Sequence, residues 1–130
     1  MAKKVLIADD EPNIVTSLEY LMTKSGYEVA IARNGDEALA LVESFGPDLV
    51  LLDVMMPRRS GYEVCQEMRR REDLRHIKIV MLSAKGRETE VSKGMATGAD
   101  AYVTKPFSTR ELVSRVATLL PGDGPPPAAP

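Results

Sequence analysis

Short apolar runs separated by amphipathic stretches organise most of the chain. Runs rich in Val, Ile and Leu lie at Val5–Ala8, Tyr27–Ala32, Asp48–Leu52, Ile77–Leu82 and Ala101–Thr104. Continuous apolar runs of this length read as strands covered on both faces. Between them, apolar residues recur at helical spacing: Ile14, Leu18, Leu21 and Met22, then Ala38, Leu41 and Val42, and finally Leu112, Val116, Leu119 and Leu120. Each set makes one stripe on a helix. The punctuation agrees. Gly26, Gly46 and Gly98 stand where helices end before the next strand. Asn13 or Asp10 is the expected cap of the first helix, with Pro12 in its first turn. Ser108 with Glu111 forms a capping-box pattern before the last helix.

Five strand–helix units in alternation predict an α/β fold, a parallel sheet with helices on both faces. The usual strand order for such a five-stranded sheet is 2-1-3-4-5, the flavodoxin-like arrangement. The alternation occupies residues 1–120 as one domain. Residues 121–130 hold five of the nine prolines and read as a flexible tail or the start of a linker.

Composition narrows the function. With 130 residues, 44% of them apolar and 28% charged, the chain has the balance of an ordinary globular domain. No apolar run is long enough to span a membrane, and the start lacks the apolar core of a signal peptide, so a cytoplasmic location is expected. A net charge of −2 and only 5% aromatics offer neither a field nor a stacking platform for nucleic acid. The single cysteine, Cys65, excludes a disulfide framework and sits as a core filler in a predicted helix. The run Arg69, Arg70, Arg71 and Arg75 reads as a solvated helix end, and His76 as a loop residue.

In open parallel sheets, ligands bind beyond the carboxyl ends of the strands. Strand 1 ends in Asp9-Asp10-Glu11, strand 3 in Asp53, strand 4 in Ser83 and strand 5 in Lys105-Pro106. Asp53 interrupts the apolar run LVLLDVMM. A carboxylate there is costly unless paired or bound to a cation. Alone it reads equally well as a turn-capping aspartate, and Asp9-Asp10 as helix-terminal charge. Together, three or four carboxylates facing one lysine leave excess negative charge that calls for a cation. Oxygen-only ligands in an open cleft favour Mg²⁺. Lys105 and Ser83 supply a charge and a hydroxyl suited to a phosphoryl oxygen.

Asp9-Asp10, Asp53 in DVMMP with Gly61 after it, Ser83-Ala84, and Tyr102 before Lys105-Pro106-Phe107 follow one another at spacings covering residues 3 to 120. In these motifs the chain resembles the CheY-like receiver domain of two-component response regulators. The resemblance implies that Asp53 is the phosphoacceptor, taking a phosphoryl group from a histidine kinase or a phosphotransfer protein. It implies Mg²⁺ held by Asp10, Asp53 and the Met55 backbone carbonyl, with Asp9 acting through water. Lys105 and Ser83 would contact the phosphoryl oxygens, and the Lys105–Pro106 bond would be cis. Ser83 and Tyr102 would form the switch, reshaping the surface of the fourth helix, fifth strand and last helix for an output domain or target protein. Such a chain is not an enzyme acting on external substrates; it catalyses only its own phosphotransfer and dephosphorylation. Direct nucleic-acid or membrane binding by this domain is not expected.

The chain also departs from the family's habits. Arg59 and Ser60 stand where methionine and aspartate are common, which makes the cleft rim more basic. Met55 and Lys85 occupy the positions that tune hydrolysis of the phosphoryl group. An apolar Met55 cannot orient water, so a long-lived phosphorylated state is expected. Glu111 and Arg115 match a family dimer face, but Val91 and Ala101 do not. Two other classes fit these residues less well. A phosphohydrolase would place its nucleophile after strand 1 with a second acid two residues on, and a flavin carrier would not line its phosphate loop with carboxylates.

Overall fold

The computed structural model describes residues 2–84 and 98–120. The fourth predicted helix, Lys85, Val91 and the proline-rich segment lie outside the described residues. The strands are β1 (Lys4–Ala8), β2 (Glu28–Ala32), β3 (Leu49–Asp53), β4 (Lys78–Ala84) and β5 (Ala101–Lys105). Helices α1 (Pro12–Lys24), α2 (Gly35–Ser44) and α3 (Gly61–Arg70) follow the first three strands, and a C-terminal helix spans Thr109–Leu119.

The sheet is parallel throughout, in the order β2-β1-β3-β4-β5. Side chains alternate along each strand, and this splits the core in two. Leu6, Val50, Leu52, Ile79 and Met81 pack with Val42 of α2 and Val64 and Met68 of α3. Val5, Ile7, Leu49, Leu51 and Val80 pack on the other face with Leu18 and Met22 of α1 and Leu112 and Val116 of the C-terminal helix. Every position of β3 is buried, as an interior strand between two helical layers requires. Cys65 is buried in the core as a small apolar filler.

Three helix starts show how local sequence sets boundaries. The side chains of Asn34, Ser60 and Ser108 accept the N–H of Glu37, Glu63 and Glu111, each three residues on. The start of α1 differs from expectation. Neither Asn13 nor Asp10 caps it; the N-cap is Glu11, without a side-chain bond, and Pro12 begins the helix. Asp9 Oδ1 takes the Glu11 N–H at 2.9 Å instead, which leaves Asp10 free of the helix and directed to the strand ends. Gly26 and Gly46 have positive φ, as chain reversals after α1 and α2 demand, and Gly98 ahead of β5 has positive φ as well.

The strands run past their apolar segments. The ladder carries Asp53, Ser83, Ala84 and Lys105 in register with neighbours, so β4 ends at Ala84 rather than Ser83. The Arg69 side chain is not solvated as expected. Its guanidinium donates to the carbonyls of Gly98, Arg75 and Ile77 at 2.9, 3.1 and 2.8 Å, and to Asp100 Oδ2 at 2.7 Å. It fastens the end of α3 to the approach to β4 and β5. Arg71 pairs with Glu43 and Asp73.

Candidate phosphoacceptor and metal site

The carboxyl ends of β1, β3 and β5 bring the charged residues together. Among the described residues, the buried polar side chains are Asp9 (0% exposed), Asp53 (6%) and Ser83 (2%). One carboxylate oxygen from each of Asp9, Asp10 and Asp53 lies within 4.8 Å of the others. Asp10 is the exposed member. The Lys105 Nζ stands 2.9 Å from Asp9 Oδ2, 3.6 Å from Asp53 Oδ1 and 3.9 Å from Glu11 Oε1. Three carboxylates therefore face one ammonium, and Asp10 stands beside two of them.

The electrostatics follow from that imbalance. Burial raises the Asp53 pKa most, and the Asp9 charge adds to it; Lys105 and the Met55 N–H, which donates to Oδ1 at 3.2 Å, act against it. The result is a carboxyl pushed up to about 7. For Lys105, burial opposes the charge. The hydrogen bond to Asp9 and the field of Asp53 outweigh it, and the pKa is raised above the ordinary lysine value. A divalent cation among the three oxygens relieves this repulsion, so the donor set fits a hard ion. All-oxygen ligation suits hard divalent ions such as Mg²⁺, Ca²⁺ and Mn²⁺.

Ser83 lies at the same end of the sheet, in register with Thr104 and one residue beyond Leu82, the partner of Asp53. Tyr102 lies lower on β5, level with Met81, and is half-buried on the α3 side. Its hydroxyl is 3.5 Å from that of Tyr62, a partner the sequence did not suggest. Gly61 permits a close approach: a Cβ there would overlap the Asp53 carbonyl oxygen and stand 3.0 Å from its carbonyl carbon. The Lys105–Pro106 bond is cis, as expected. His76 borders a separate cleft of about 310 Å³ between α2 and the start of β4, lined also by Val42, Arg71 and Ile77.

The model of the response regulator receiver domain family matches residues 5–117. The chain belongs to the response-regulator receiver family. A solved structure from Chloroflexus aurantiacus, assigned as a response regulator, is 35% identical with a TM-score of 0.89, over 92% of this chain and 98% of that one. The signal receiver domain of a signal transduction histidine kinase from Syntrophus aciditrophicus is 34% identical with a TM-score of 0.85, covering 92% and 90%. Chemotaxis protein CheY4 of Vibrio cholerae is 29% identical with a TM-score of 0.85, covering 92% and 99%. The receiver sheet order and its helices on both faces agree with these neighbours. No helix among the described residues of this receiver is long and apolar enough to cross a membrane.

Proposed function

We propose that this receiver accepts a phosphoryl group on Asp53 from a histidine kinase or phosphotransfer protein and acts as a switch. The observation that carries the reading is the convergence of Asp9, Asp10, Asp53 and Lys105 on one cleft. Asp53 is reachable from solvent yet anchored at the end of a fully buried strand. Its carboxylate oxygen bonds to phosphorus as the P–N bond of the partner's phosphohistidine breaks. The electron pair of that bond returns to the imidazole, which is then protonated. Asp10, Asp53 and the Met55 carbonyl would hold Mg²⁺, with Asp9 contributing through water. The ion supplies charge neutralisation between the carboxylate nucleophile and the incoming phosphoryl oxygens.

The protein's own groups do the rest. Lys105, held over Asp53 by Asp9, is placed to pair with a phosphoryl oxygen. The Ser83 hydroxyl takes a second one. A phosphoryl group adds about two negative charges, which shifts the balance between two arrangements of Ser83 and Tyr102. The readout is the surface that includes β5 and the C-terminal helix, offered to an output domain or target protein. In this reading the receiver catalyses only its own phosphorylation and dephosphorylation, in the cytoplasm.

Intact mass after incubation with Mg²⁺ and a small acyl phosphate tests the proposal. A single phosphoryl gain is expected, dependent on Mg²⁺ and lost in Asp53→Asn. A gain that persists in Asp53→Asn would place the chemistry on another carboxylate. No gain in the native chain, from the small donor or from phosphorylated kinase, would refute the phosphoacceptor role.

A further inference from the structure

The loop after Asp53 does not stand alone; its middle rests on the first residue of α2. Gly35 opens that helix behind the Asn34 cap. A Cβ on Gly35 would overlap the Arg59 Cβ and stand 2.5 Å from the Arg59 carbonyl oxygen and 2.9 Å from its Cα. These obstructing atoms are backbone or fixed directly to it, so no rotamer change makes room. The φ of Gly35 is not in the left-handed region, so space rather than backbone conformation demands glycine here.

Polar contacts tie the same two elements. The Gly35 and Arg59 N–H groups both donate to the Pro57 carbonyl, at 3.3 and 2.8 Å. The Arg59 Nε donates to Asp36 Oδ1 at 2.9 Å, and the Arg58 guanidinium is 3.8 Å from Asp36 Oδ2. The far end of the loop is fixed separately, by the Gly61 N–H on the Val54 carbonyl at 2.9 Å. Met55 lies within this fastened segment, its N–H already on the Asp53 carboxylate.

We infer that the N-terminus of α2, through Gly35 and Asp36, positions the loop that carries Met55 and so sets the affinity of the acidic cleft for its divalent cation. The inference deepens the proposed function and rests on its reading of the cation site. Gly35 and Asp36 touch neither the cation nor the phosphoryl group; they are positioning residues. A displaced loop moves the Met55 carbonyl and weakens the Met55 N–H bond to Asp53 together.

The test is a calorimetric Mg²⁺ titration of the full chain, with amide hydrogen exchange measured on the same samples without Mg²⁺. Gly35→Ala is expected to weaken Mg²⁺ binding about tenfold or more, the scale of losing a group that orients a metal ligand, and to speed exchange at the Arg59 and Gly61 amides. Asp36→Asn, a surface change that leaves folding intact, is expected to weaken it roughly twofold to fivefold. The exchanged pair Asp36→Arg with Arg59→Asp should bind Mg²⁺ more tightly than Asp36→Arg alone, with Arg58 left unpaired. Gly46→Ala, at the other end of α2 where φ is +66°, provides a destabilised control with unaltered Mg²⁺ binding. Native affinity in a folded Gly35→Ala, or equal weakening in Gly46→Ala, would overturn the inference. If the native chain binds no Mg²⁺, the cation reading falls, and the exchange rates still decide the seat: unchanged rates at Arg59 and Gly61 in Gly35→Ala would refute it.

Discussion

Replacing Asp53 with asparagine should stabilise the cation-free protein at neutral and alkaline pH. The buried carboxyl is pushed up to about 7 from an ordinary value of 3.8, first by burial and then by Asp9. Between those two values the folded state holds one proton more than the unfolded state. Stability therefore falls as pH rises, by about 1.4 kcal/mol per pH unit. Over the whole window this amounts to at most about 4 kcal/mol, and the partial solvation of an open cleft reduces it to roughly 2–4 kcal/mol. Asparagine keeps the shape and an acceptor for the Met55 N–H but carries no charge. Urea unfolding with EDTA, from pH 4 to pH 8, measures the difference. The two proteins should converge near pH 4 and diverge above it, with Asp53→Asn more stable by about 2–4 kcal/mol at pH 8. Mg²⁺ at 100 times its Kd should recover about 2.7 kcal/mol for the native chain and little for the variant. Parallel pH profiles, or a less stable variant at pH 8, would refute the account of the crowded carboxylates.

Other substitutions probe the remaining parts. Arg69→Ala removes four hydrogen bonds, one of them to Asp100, and should cost about 2–4 kcal/mol by urea unfolding, with Arg69→Lys recovering only a minor part. Gly61→Ala forces a Cβ onto the Asp53 carbonyl and should cost at least about 2 kcal/mol while slowing phosphoryl gain from an acyl phosphate. Met55, 59% exposed and two residues after Asp53, presents no group that orients water. Met55→Asn or Met55→Gln should therefore speed loss of the phosphoryl group roughly threefold or more, the equivalent of one weak hydrogen bond; an unchanged decay rate by mass would contradict this.

Which features the chain discloses depends on how far apart their causes lie. The strands and their order follow from local runs, because a strand buried on both faces leaves an unbroken apolar signature, as in Leu49–Leu52. The charged residues of the site were legible because each terminates such a run. Their pairings were not: Lys105 meets Asp9 across 96 positions of sequence. Arg69 looked like a solvated helix end because its partners Gly98 and Asp100 come from a distant part of the chain. The α1 cap was misassigned for a local reason. Pro12 starts the helix at its own position, which puts Asn13 inside the first turn and makes Glu11 the N-cap. The Gly35 seat and the Tyr62–Tyr102 contact exist only once the elements pack.

The sheet that divides the core has a consequence for how such a protein changes over generations. Leu18 and Met68 lie in different compartments, separated by a layer of backbone that neither side chain crosses. A cavity opened on one side is not refilled from the other, so damage and repair are confined to the compartment in which they arise. Each half can accumulate its own compensating substitutions while the strand ends between them stay in register. One sequence can in this way explore new helical surfaces on one face without renegotiating the opposite face or the carboxylates at the shared rim.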